Sequence, residues 1–98
     1  MTKVHDTLVA ARALIADPER WTQGAWARDE EGGPVGTLSP AAVCFCAQGA
    51  LVHVSRSGHE RALEALSVAA GRRPTVVNDF DGHAAVLEMY DRAIEATA

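Results

Sequence analysis

Hydrophobic positions recur at helical spacing in four stretches of this chain. In the first, over residues 4–16, Val4, Leu8, Ala11, Leu14 and Ile15 fall on one face while Asp6, Arg12 and Asp17 fall elsewhere. Pro18 closes that helix, because the residue before a proline is pushed out of helical geometry, and it can open a short turn through Glu19 and Arg20. Residues 41–54 run apolar almost all round, with Ser39 as N-cap and Pro40 at the first helical position, which predicts a buried central helix over about 40–54. Its small residues Ala47, Gly49 and Ala50 let a neighbouring backbone come close, which explains a glycine despite its helix penalty of roughly 1 kcal/mol.

The third stretch starts at a capping-box pattern, Ser57 to Glu60, continues through the inner stripe Ala62, Leu63, Leu66, Ala69 and Ala70, and stops at Gly71 ahead of Arg72, Arg73 and Pro74. The last, about 83–96, carries the cleanest stripe: Val86, Leu87, Tyr90, Ala93 and Ile94. Between the first two helices, residues 21–36 have no helical period and contain an acidic, glycine-rich tip from Asp29 to Pro34. The flanks 25–28 and 35–38 are expected to pair as a small β-hairpin, with Trp21 and Trp26 folded back on the helices. Thr75, Val76 and Val77 predict a short extended piece, and 78–82 a turn. The expected fold is mainly α, about four helices around the buried central one, in a single globular domain over 1–98.

Composition sharpens this picture without changing it. At 98 residues, 48% apolar and 22% charged, the chain has material for one core and is too hydrophobic to remain disordered. A formal net charge of -4 with one lysine excludes electrostatic capture of phosphates, so no nucleic-acid partner is expected. The acidity gathers at the end, where Asp79, Asp81, Glu88, Asp91 and Glu95 face a single base, Arg92. A third reading, mimicry of DNA by that acidic surface, requires carboxylates along an exposed stripe.

Residues 1–6 lack an apolar signal-peptide core. The uncharged run 32–55 has bilayer length, but glycines, prolines and His53 interrupt it, so no membrane partner is expected. Two cysteines separated by one residue make no disulfide framework, which fits a reducing cytoplasm.

Four ordered blocks carry a resemblance: Trp21-Thr22-Gln23-Gly24; Cys44-Phe45-Cys46-Ala47-Gln48-Gly49-Ala50-Leu51; Asn78-Asp79; and His83 through Val86-Leu87 to Tyr90-Asp91-Arg92-Ala93-Ile94. Together they resemble an uncharacterised family of small actinobacterial and phage proteins, a domain of unknown function. Phe45 stands where that pattern has tryptophan and Gly82 where it has threonine; without a threonine at 82, Asp79 or Asp81 is expected to cap the last helix. The resemblance names relatives and no chemistry.

Candidate chemistry is sparse. Cys44 and Cys46 on one helix would lie about 200° apart, so one helix cannot chelate through both, and the four histidines show no paired ligand spacing; no metal or cofactor is expected. A cysteine-dependent enzyme would use Cys46 as nucleophile, His83 as base and Asn78 or Asp79 to orient the imidazole, although Cys46 then sits two turns into a buried helix, a poor place for a thiolate. His53 reads as a rim histidine bonded to a carbonyl; His5 and His59 read as exposed. Asn78, Asp79, Asp81 and His83 are foremost capping residues, and in a functional version the Trp21–Gly24 turn and the Asn78 turn wall a polar pocket with Gln23, Asn78 and His83 inside. The leading expectation is a non-catalytic accessory domain that binds a host protein through the hairpin carrying Trp21 and Trp26 or through the acidic last helix; the alternative is a small enzyme or ligand-binding domain using Cys46, His83 and Asn78 or Asp79.

Overall fold

A computed structural model describes residues 3–98; Met1 and Thr2, where the signal-peptide reading begins, lie outside the described residues. Helix α1 spans Lys3–Ile15, α2 Ala47–Val54, α3 His59–Ala70 and α5 His83–Ala96, with a one-turn helix α4 at Pro74–Val76. A 3-10 turn, Pro18–Arg20, follows α1, and Asp17 caps it by accepting the Glu19 N–H. Strands β1 (Ala27–Arg28) and β2 (Cys44–Phe45) pair antiparallel between α1 and α2. The architecture is thus mainly helical with a small two-stranded ribbon, as the hydrophobic pattern predicts.

The stripes point where their spacing says. Leu8, Ala11 and Ile15 of α1, Ala47, Ala50 and Leu51 of α2, Ala62 and Leu66 of α3, and Val86, Met89, Tyr90 and Ala93 of α5 form one buried cluster, which Ala27, Phe45 and Val77 complete. Helix α1 packs on α2, α3 and α5, and α3 packs on α5. At Gly71, with a φ of 69°, the chain takes the left-handed conformation that ends α3 as expected.

Several local expectations are corrected. The central helix begins at Ala47, not near 40, because Ser39 spends its capping chemistry on a turn: its hydroxyl accepts the Ala41 N–H and its carbonyl the Ala42 N–H. From Val43 the backbone runs beside β1, Val43 N–H bonding to the Arg28 carbonyl and Cys46 N–H to the Trp26 carbonyl. A buried strand running directly into a buried helix gives one unbroken apolar run, which periodicity cannot divide. The expected partner strand, 35–38, touches β1 through the Val35 N–H to Ala27 carbonyl bond and a bridge between Pro34 and Arg28, while the ladder itself forms with β2.

The extended piece expected at 75–77 is instead α4 followed by a π turn, Val77–Asp81; Pro74 at the helix start supplies a pre-set φ that outweighs the β preference of Thr75 and two valines. Ser57 does not cap α3, which starts at Gly58 without a side-chain cap; Ser55 accepts the Gly58 N–H instead. Helix α5 likewise starts at Gly82 with no side-chain cap, because Asp79 and Asp81 are turned to other partners. His5 is nearly buried rather than exposed, and its Nδ1 sits 3.1 Å from the Ile94 carbonyl and 3.2 Å from the Thr97 hydroxyl, joining the first turn of α1 to the last of α5.

Candidate functional site

Three segments distant in sequence converge on the first turn of α2. That turn exposes N–H groups with no carbonyl partner in their own helix, and those of Ala47 and Gly49 are met by side chains. The carbonyl oxygen of the Asn78 side chain, 31 residues downstream, accepts the Ala47 N–H at 2.9 Å. The Cys46 sulfur, at the N-cap, accepts the Gly49 N–H at 3.2 Å. The Tyr90 hydroxyl donates to the Ala47 carbonyl at 2.6 Å from α5.

Asn78 does more than cap. It is 1% exposed, its Oδ1 also accepts the Trp21 indole N–H at 2.7 Å, and its Nδ2 donates to the Thr22 carbonyl and to Asp79 Oδ1. Gln23 reaches across the same gap to the carbonyls of Asn78 and Asp79, and the Gly24 N–H donates to Asp79 Oδ1. The 21–24 turn and the π turn therefore come together, as the polar-pocket reading expects, but Asn78 and Gln23 bond the walls to each other. His83 lies outside this gap: its Nε2–H donates to the Ile15 carbonyl at 2.7 Å and its ring lies 5.1 Å from that of Trp21. His53 donates to the Thr37 carbonyl, the rim-histidine role expected for it.

The backbone of residue 26 closes over α2. A Cβ added to Gly49 would lie 2.0 Å from the Trp26 carbonyl oxygen, so only glycine permits this approach. What remains open is a cleft of about 140 Å³ lined by Gly24, Ala25, Trp26, Cys46, Thr75, Asn78 and Asp79. Trp26 stands half exposed at its edge and Phe80, next along the π turn, is 80% exposed. A larger groove of about 690 Å³ between α3 and the ends of α1 and α5 takes in none of the candidate catalytic or binding residues read from the sequence.

Cys46 sits at a helix N-terminus rather than two turns into α2. The favourable position is outweighed: burial pushes its thiol above the ordinary value of 9.0, the nearby Asp79 charge adds to the rise, and the N–H bonds from Gly49 and Gln48 offset them only in part. Tyr90 is raised well above 10.0, first by burial and then by Cys46. Cys44, in β2, is half-buried. Among the described residues no group of three or more His, Cys, Asp or Glu is arranged to hold a metal ion, and no helix is long and apolar enough to cross a membrane.

The model of a family of unknown function, DUF6197, matches residues 1–96. The chain belongs to that family. No curated protein and no solved structure matches it. In this DUF6197 member the cleft adds Ala25 and Thr75 to the residues read from the sequence, and the exposed Phe80 follows Asp79 along the π turn. Phe80 had a local signal, a lone aromatic between Asp79 and Asp81 in a turn; Thr75 had none, since only the packing of α4 brings it to the cleft that Trp26 lines.

Proposed function

We propose that this protein is a small non-catalytic interaction domain that binds a partner protein through the face built by Trp26, the cleft beside it and Phe80. The observation that carries the reading is the division of the aromatics: Phe45 and Tyr90 are buried and Trp21 is bonded to Asn78, whereas Trp26 and Phe80 stay in solvent. Exposed tryptophan and phenylalanine cost free energy in water, and such residues anchor protein interfaces when a partner covers them. The acidic last helix is the weaker candidate, because Asp91 pairs with Arg12 and Glu88 with Arg92, and Asp81 just before the helix pairs with Arg72.

The cysteine-enzyme alternative has less support. Of its two candidate orienting residues, Asn78 has both side-chain polar atoms committed and Asp79 accepts from Gly24 and Asn78 rather than from an imidazole; its base, His83, holds the Ile15 carbonyl, and the thiol is pushed toward its neutral form. The resemblance to actinobacterial and phage proteins and the two reduced cysteines favour a cytoplasmic setting and a host protein as partner.

Affinity capture from a bacterial lysate tests the proposal. A partner held by the wild-type chain is expected to be lost with Trp26→Ala and with Phe80→Ala, both still folded, and retained with Val9→Ala, an exposed apolar control on α1. A partner that survives both aromatic substitutions overturns the assignment of this face.

A further inference from the structure

Resting on the proposed interaction face, we infer that the cleft beside Trp26 takes one basic side chain of the partner, an arginine, its guanidinium against the Trp26 indole and hydrogen-bonded to Asp79 and Thr75. At about 140 Å³ the cleft falls below the ~300 Å³ at which drug-sized ligand pockets begin, which leaves room on the scale of a single side chain. Its lining residues include a tryptophan, an aspartate and a threonine, whose side chains carry the groups that a planar cation with several N–H donors satisfies together.

The charge is available. Of the carboxylates from residue 79 onward, Asp81, Glu88 and Asp91 are held in ion pairs, whereas Asp79 has no cation within pairing distance among the described residues. Both hydrogen bonds that Asp79 accepts, from Gly24 and Asn78, fall on Oδ1 and leave Oδ2 open. The Thr75 hydroxyl likewise has no hydrogen-bond partner among the described residues. Cys46, on the same lining, stays a neutral thiol, so Asp79 supplies the one negative charge there.

The neighbouring guanidinium of Arg28 does not fill this place. Its three nitrogens donate to the Thr22 hydroxyl and to the Gly32 and Gln23 carbonyls, and it is not part of the lining. An exposed carboxylate and a half-exposed indole bind one cation weakly, so this subsite selects within a larger interface rather than supplying its affinity.

The test titrates the full chain with N-acetyl-arginine methylamide and, separately, with its neutral isostere N-acetyl-citrulline methylamide, followed by amide and indole NMR shifts. The arginine probe is expected to give concentration-dependent shifts confined to the Trp26 indole, Gly24 and the π turn. Citrulline, or Asp79→Asn with the arginine probe, should weaken binding about three- to fivefold. Trp26→Ala should remove the shifts, and Asp91→Asn should leave them unchanged. Equal shifts with citrulline, shifts spread over the surface, or no arginine-dependent shift at the Trp26 indole overturns the inference. A captured partner that needs Trp26 but is indifferent to Asp79→Asn leaves the interaction face standing and overturns the arginine site alone, whereas a partner indifferent to Trp26 overturns the face itself.

Discussion

Asn78 is the residue on which most of the site depends, and its role follows from its size and chemistry. A buried amide with two donors and an oxygen that accepts twice can satisfy four groups at once, and here it meets an indole, two backbone groups and a carboxylate. Asn78→Ala removes the shared acceptor and leaves the Trp21 N–H and the Ala47 N–H without partners. A loss of ~2–6 kcal/mol in urea unfolding is expected, since each of the two buried orphans costs about 1–3 kcal/mol; a loss under ~1 kcal/mol would show that water replaces the amide. This work could not be read from sequence. Asn78 looks like a local cap for α5, the nearest helix start, whereas it caps α2 from 31 residues away.

At the scale of elements, the first turn of α2 gathers two raised acids, the Cys46 thiol and the Tyr90 phenol, and their stability linkage has a definite sign. Burial raises both in the fold, so the unfolded chain loses these protons first as pH climbs. Their contribution is fully present below about pH 9, the ordinary thiol value, and is lost as pH rises from there through the higher values of the folded state. Unfolding midpoints are expected to hold level to about pH 9 and then fall, with the first part of that fall missing in Cys46→Ala. An alkaline limb unchanged in that variant would contradict the burial of the thiol.

The same element shows what the hydrophobic pattern can and cannot reveal. Helices α1, α3 and α5 fall within a residue or two of the stripes that predict them, because each has a polar face to give contrast. Helix α2 has almost none, and the strand Cys44–Phe45 feeding it is equally apolar, so the boundary vanished and Ser39-Pro40 was the nearest start signal. The small-residue argument at Gly49 was nevertheless legible and physically sound: the approaching backbone is that of Trp26.

For the whole molecule, the candidate site divides into groups that hold the fold and groups that the fold leaves in solvent. Helix α1, the 21–24 turn, α2 and the π turn are joined through Trp21, Asn78 and His83, three of the residues that sequence offers as binding groups. Trp26, five residues from Trp21 and indistinguishable from it by type, contributes its backbone to that assembly and leaves half its surface exposed. The sequence could nominate both tryptophans but not rank them, because the difference lies in a long-range contact to Asn78 that no local pattern encodes.

Urea unfolding of Trp21→Phe beside Trp26→Phe tests this division most directly. Trp21→Phe loses an indole N–H bonded to Asn78 and part of a packed ring, and should cost ~1–3 kcal/mol, while Trp26→Phe should stay within ~0.5 kcal/mol of wild type. Equal losses, or the larger loss at Trp26, would contradict the assignment of Trp21 to the fold and Trp26 to a partner.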